Sequence, residues 1–170
     1  MTFDTLVLAP FSQHGLSSLE HFGQVTYEPW TETQTLQDPE ELGRRIAETG
    51  FAGLIVEADF LFDELFSSAS PLRFAAVCRG ALNHVDLDAA TEHGVAVVHT
   101  PGRNAQAVAE LVQGLVLSLA RQIPRSIAYV QAGAWQDPTD AYIRFQGREV
   151  QGATLGIIGL GQIGRRVARL

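Results

Sequence analysis

The sequence contains no lysine, and all twelve cationic side chains are arginine. Lysine Schiff-base chemistry and a Walker-type phosphate lysine are therefore excluded within these residues. Cysteine is nearly absent too. Cys78 stands alone, so no internal disulfide can form, which fits a reducing compartment. Long apolar runs are missing: the longest apolar region, Val108 to Ala120, is interrupted by Glu110, Gln113 and Ser118 and is too short to span a bilayer. The opening residues Met1-Thr2-Phe3-Asp4-Thr5 lack the basic stretch of a signal peptide, so a cytoplasmic location and no membrane partner are expected. Positive charge is in deficit, with a formal net charge of -7, which argues against a nucleic-acid surface. His14, His21 and His93 are scattered without metal-ligand spacing, so no metal is expected.

What is present is a chain of 170 residues, 46% hydrophobic, able to bury the core of one or two domains. Short apolar runs alternate with helical segments. Leu6-Val7-Leu8-Ala9, Val25-Thr26-Tyr27, Leu54-Ile55-Val56, Leu72 to Cys78 and Val95 to Val98 read as five strands. Between them, Leu16, Leu19 and Phe22 can share a helical face. Thr31 to Gln37 reads as a loop. Asp38-Pro39-Glu40-Glu41 is a helix start with an N-cap and a first-position proline, and Gly50 is its stop. Asp63 to Phe66 and Asp86 to His93 read as short helices. This alternation predicts an α/β fold with a parallel sheet covered on both faces, complete by about residue 98.

Pro101 and Gly102 then punctuate the chain. A long helix is predicted from about Asn104, its plausible N-cap, to Arg121. Its apolar residues spread over more than a narrow stripe, so burial on several sides is expected. A second helix is predicted around Arg125 to Gln131, and an irregular surface loop over Gly133 to Gly147. Thr154-Leu155-Gly156-Ile157-Ile158 reads as a further strand, running into Gly159-Leu160-Gly161-Gln162-Ile163-Gly164.

This glycine pattern has a definite task. The first glycine permits a tight strand-to-helix turn, the second lets backbone approach a pyrophosphate, and the third lets the helix pack on the strand. A helix starting near Gln162 would turn its amides toward the phosphates. The fingerprint predicts dinucleotide binding. The acidic ribose contact expected about twenty residues after the strand would lie past Leu170, which leaves NAD against NADP open.

Other candidates are weaker. Arg79-Gly80-Ala81 follows the fourth strand, where α/β sheets bind ligands, and could hold a carboxylate. Asp86 is read as a helix cap rather than a partner of His84. His99 is read as ordinary packing or hydrogen bonding, Cys78 as a buried thiol and Glu110 as a structural first-turn carboxylate. Glu57 and Asp59 also follow a strand, but nothing in the sequence makes them an acid/base pair.

Four stretches together resemble the D-isomer-specific 2-hydroxyacid dehydrogenase family. They are Arg79-Gly80 with Asn83 to Ala90, Gly94 through Pro101 to Asn104, Ala107 to Leu111, and Thr154 to Gly164. The resemblance covers residues 50 to 170. It implies a flavodoxin-like substrate domain over residues 1–98, followed by the truncated start of a Rossmann NAD(P)-binding domain over 99–170, with a crossover helix at 104–121. It implies an oxidoreductase of D-2-hydroxy acids that uses NAD, with NADP not excluded, and that is a homodimer at full length. Arg79, Gly80 and Ala81 would contact the carboxylate of a 2-hydroxy or 2-keto acid. Val108, where relatives carry threonine, and Gly159, Leu160, Gly161, Gln162, Ile163 and Gly164 would hold the cofactor. Ala81-Leu82 departs from the glycine-containing pair common in the family. The family's catalytic arginine, glutamate and histidine would fall after Leu170, so no catalytic residue is assigned and residues 1–170 alone are expected to be inactive. A non-catalytic nucleotide-binding or dimerising remnant and a corepressor of the same fold are the alternatives.

Overall fold

The computed structural model describes residues 2–170. The chain divides into two compact units, the first ending at Pro101 and the second spanning Gly102–Leu170.

The first unit is built on five parallel strands: β1 (Thr5–Val7), β2 (Val25–Tyr27), β3 (Gly53–Val56), β4 (Phe74–Val77) and β5 (Ala96–His99). Their order is β2-β1-β3-β4-β5. Val7 pairs with both Tyr27 and Ile55, Val56 with Val77, and Val77 with His99. Side chains alternate across a strand, so consecutive apolar residues must enter two different cores. Leu6, Leu8, Leu54 and Val56 enter one cluster with Leu42, Ile46, Leu65 and Phe66. Val7, Ala9 and Ile55 enter the other with Leu16.

Five helices link these strands: α1 (Gln13–Glu20), α2 (Trp30–Thr33), α3 (Pro39–Thr49), α4 (Asp63–Ser68) and α5 (Leu87–Glu92). Asp38 caps α3 by accepting from the Glu40 and Glu41 amides, and Gly50 closes it in the left-handed region. Asp86 caps α5 through the Ala89 amide at 2.9 Å. Arg45 on α3 grips Glu28 after β2 with two hydrogen bonds, of 2.8 and 2.7 Å. The hydrogen bond from Arg45 holds the Glu28 carboxyl below its ordinary range.

Three sequence expectations change here. Thr31 to Gln37 is not all loop, because its first residues complete α2, which Gln34 ends in the left-handed region at φ 55°. Phe22 does not share a buried face with Leu16 and Leu19, since α1 stops at Glu20 and Phe22 is exposed. Cys78 is half-buried rather than buried.

The second unit holds α6 (Ala105–Ala120), α7 (Ile123–Gln131), α8 (Pro138–Arg144) and α9 (Gln162–Val167), with α6 packed against α9. Among its described residues there is no strand. The predicted strand Thr154–Ile158 is therefore not formed. A parallel strand needs a neighbour to pair its amides and carbonyls, and the segment has none in this unit. The predicted surface loop Gly133 to Gly147 contains α8, which starts where Asp137 accepts from the Thr139 amide at 2.9 Å. Asn104 provides no side-chain cap to α6. Nor is α6 buried on several sides: only Ala105 and Ala109 are buried, while Leu111, Leu115 and Leu119 are exposed. Among the described residues no helix is long and apolar enough to cross a membrane.

Candidate functional site

The candidate residues fall into two groups, one in each unit. In the first unit, Arg79, Gly80 and Ala81 lie just past β4, at the carboxyl edge of the sheet. All three are exposed. The chain enters this loop with Cys78 donating its amide to the Val56 carbonyl at 2.8 Å. The Arg79 carbonyl then accepts from the Thr100 amide at 3.1 Å. The Gly80 carbonyl lies 3.1 Å from His99 Nδ1, so that nitrogen carries the hydrogen. The end of β5 thus frames the loop, and His99 takes the hydrogen-bonding role expected of it.

Two neighbouring features share this edge. Trp30 donates from Nε1 to Glu57 Oε2 at 3.2 Å, beside a cavity of about 490 Å³ lined by Trp30, Gln34, Leu36 and Ala58. Asp59 and His84 are both buried, at 1% and 3% exposure. Burial is the main cause that pushes the Asp59 carboxyl above its ordinary range, opposed by the Gln37 amide and His84. Burial, helped by the Arg79 charge, holds the His84 imidazole below its ordinary range, and Asp59 opposes it. Sequence distance hid that these two residues, twenty-five positions apart, are buried at neighbouring strand exits, and no hydrogen bond joins their side chains. The usable signal was that both residues follow strands that turn out to be neighbours.

In the second unit, Val108 lies on the first turns of α6 and is half-buried. The fingerprint forms a turn into α9. Gly159 adopts φ +91°, a backbone angle that side-chain-bearing residues rarely take. A Cβ on Gly164 would stand 2.1 Å from the Gly159 carbonyl oxygen, so only glycine fits there. A Cβ on Gly161 would meet nothing within 4 Å, which leaves open space beside that backbone. The turn, the close packing and the clear approach are the features a bound pyrophosphate needs. Leu160 and Ile163 are exposed beside the turn, and Gln162 opens α9. A cavity of about 390 Å³ adjoins it, lined by Gln106, Gln162, Arg165, Arg166 and Arg169. Arg166 is partly engaged, donating to the Gln162 carbonyl at 3.0 Å.

Among the described residues no group of three or more histidine, cysteine, aspartate or glutamate side chains could hold a metal. Glu110 accepts from Gln106 Nε2 at 2.8 Å on the exposed surface of α6.

Residues 5–158 match the profile described as D-isomer specific 2-hydroxyacid dehydrogenase, catalytic domain. The chain is 42% identical over 167 residues to a Bacillus subtilis protein that carries the name 2-hydroxyacid dehydrogenase YoaD, covering 97% of this chain and 48% of that one. It is 40% identical over 117 residues to human D-3-phosphoglycerate dehydrogenase, covering 68% of this chain and 21% of the enzyme. A crystal structure from Polaromonas, described as a D-isomer specific 2-hydroxyacid dehydrogenase, NAD-binding, superposes with a TM-score of 0.81 at 26% identity, over 99% of this chain and 51% of that one. The chain thus spans about half the length of the Bacillus and Polaromonas proteins.

Proposed function

The chain belongs to the D-isomer specific 2-hydroxyacid dehydrogenase family, and on that premise we propose that it forms part of an NAD(P)-dependent oxidoreductase acting on the CH–OH group of a D-2-hydroxy acid. The observation that carries this reading is the fingerprint turn, where the backbone at Gly159 and the crowding at Gly164 exclude any side chain. Residues 1–98 serve as the flavodoxin-like substrate domain and residues 99–170 as the opening part of a Rossmann domain.

Gly159, Leu160, Gly161, Gln162, Ile163 and Gly164 hold the cofactor pyrophosphate through main-chain amides, with Val108 beside the cofactor. NAD is the favoured cofactor, in keeping with the NAD-binding description of the Polaromonas relative. When bound, the nicotinamide supplies or accepts the hydride. Arg79, Gly80 and Ala81 seat the carboxylate of the 2-hydroxy or 2-keto acid. Support for this role comes from the exposure of the three loop residues and from their main-chain frame at Thr100 and His99. His84, His99 and Glu110 are given no part in proton exchange with the substrate. The exposed leucines of α6 favour a homodimer that covers them, and a cytoplasmic location fits the chain's lone cysteine.

Calorimetric titration of the 170-residue chain with NADH tests the cofactor reading, and binding in the micromolar range is expected. The full-length protein is then assayed for NADH oxidation against pyruvate, glyoxylate and longer 2-keto acids. Turnover with none of them, despite NADH binding, would leave the chain a nucleotide binder and overturn the dehydrogenase reading.

A further inference from the structure

Asp59 and His84 are buried ionisable residues to which the reading above assigns no task. Asp59 lies three residues past β3 and His84 seven past β4, and these strands pair in parallel with Val56 opposite Val77. Main-chain bonds stitch the two exits together. Leu61 donates to the His84 carbonyl at 2.9 Å, and Asp86 donates to the Leu61 carbonyl at 2.8 Å. Asp59 Oδ1 accepts the Gln37 amide at 3.0 Å. Asp59 Oδ2 and both ring nitrogens of His84 are buried and make no hydrogen bond. Buried polar atoms are nearly always partnered, so three unpartnered atoms on two residues that feel each other's charge call for an explanation.

Two charged groups act on the imidazole: the Asp59 carboxyl from the exit of β3 and the Arg79 guanidinium from the exit of β4. The other ionisable groups on these exits are engaged elsewhere. Asp86 caps α5, Glu57 accepts from Trp30, and His99 is bonded to Gly80. Arg79 repels a proton on His84, while Asp59 attracts it. An anion seated at Arg79 cancels the repulsion and leaves the attraction.

We propose that His84, buried with Asp59 at the exits of β3 and β4, is a positioning residue that couples carboxylate binding at the Arg79–Ala81 loop to the uptake of one proton. This rests on the reading of that loop as the carboxylate's seat. The step balances: one carboxylate arrives with one negative charge, and one proton passes from solvent to a ring nitrogen of His84. Asp59, buried at the exit of β3, supplies the attraction that favours the added proton. The linkage is reciprocal, so whatever factor the anion contributes to protonation, protonation returns to anion affinity.

The test uses the 170-residue chain, pyruvate as the probe, and NMR of the His84 ring nitrogens and of the Gly80 and Ala81 amides. Pyruvate should move both amides. Its affinity should rise about fivefold as the solution is taken from about pH 7.5 to about pH 5.5. The His84 titration midpoint should move up when pyruvate saturates. His84→Asn should keep the amide response but lose its pH dependence, and Asp59→Asn should lower the midpoint. A midpoint unchanged by saturating pyruvate overturns the proposal, as does a pH dependence that persists in His84→Asn. If the variants do not fold, the midpoint comparison in the unaltered chain still decides. Amides unmoved by pyruvate overturn the carboxylate seat itself, and moved amides with a fixed midpoint overturn only the coupling.

Discussion

Leu54 and Ile158 both sit in apolar runs that read as parallel strands, yet Leu54 is fully buried and Ile158 is fully exposed. Leu54 pairs with Leu6 on one side and Ala75 on the other, with helices covering both faces of the sheet. Ile158 stands in a segment without a partner strand, in a unit whose only buried apolar residues among those described are Ala105, Ala109 and Ala141. The difference teaches that apolar content and strand propensity nominate a parallel strand, while neighbours make it. The first unit supplies both, and the second supplies the apolar run without the neighbours.

The contrast can be broken by substitution. Leu54→Ala should cost about 3–4 kcal/mol in urea unfolding, because a cavity opens in a closed core. Leu119→Ala, on the exposed face of α6, should change stability by no more than about 0.5 kcal/mol at concentrations dilute enough to keep the chain monomeric. Equal costs would mean that α6 is covered in solution and that the two units are alike. A smaller effect sharpens the comparison from the other side. Gly164→Ala forces a Cβ onto the Gly159 carbonyl, so NADH affinity should fall at least about tenfold, near 1.4 kcal/mol, while the first unit melts unchanged. A matching drop in the melting of the first unit would show that the turn matters to more than its own unit.

The smallest effect concerns the rim of the first unit. Glu28 has its folded pKa lowered by Arg45, so the pair stabilises above the ordinary carboxyl range and loses that contribution as the pH falls through the folded value. Because both side chains are about a third exposed, Glu28→Gln should cost about 0.5 kcal/mol or less and flatten the acid limb of the stability curve. A cost equal to that of Leu54→Ala would place the ion pair, rather than the sheet, at the centre of this unit's stability.

Much of the first unit was legible because its signals are local. Asp38 and Asp86 announce their helices, and five short apolar runs fall within a residue or two of the five strands. Register and pairing are not local, so the burial of Asp59 and His84 at neighbouring strand exits could not be read from spacing. In the second unit the long helix was legible, but its environment was not. A wide apolar surface reads as burial, and the sequence does not say whether another surface arrives to cover it. The fingerprint was legible from its glycines because each has a separate steric reason. The strand before it was not, since its hydrogen bonds depend on partners. Helix α8 escaped notice because aromatic and polar residues are mixed over Trp135 to Phe145 and no periodicity stands out.

The loop past β4 is fixed mainly by its own main chain: the carbonyls of Arg79 and Gly80 are tied to Thr100 and His99, and the stretch after it is tied through His84 and Asp86 to Leu61. A frame made of backbone does not record which side chains it carries. Ala81, exposed on the loop, can be exchanged without untying any of these bonds, whereas Leu82 packs against the core. Fold maintenance and ligand choice are thereby separated within a few residues, so a lineage can alter what this edge of the sheet recognises while leaving its architecture untouched.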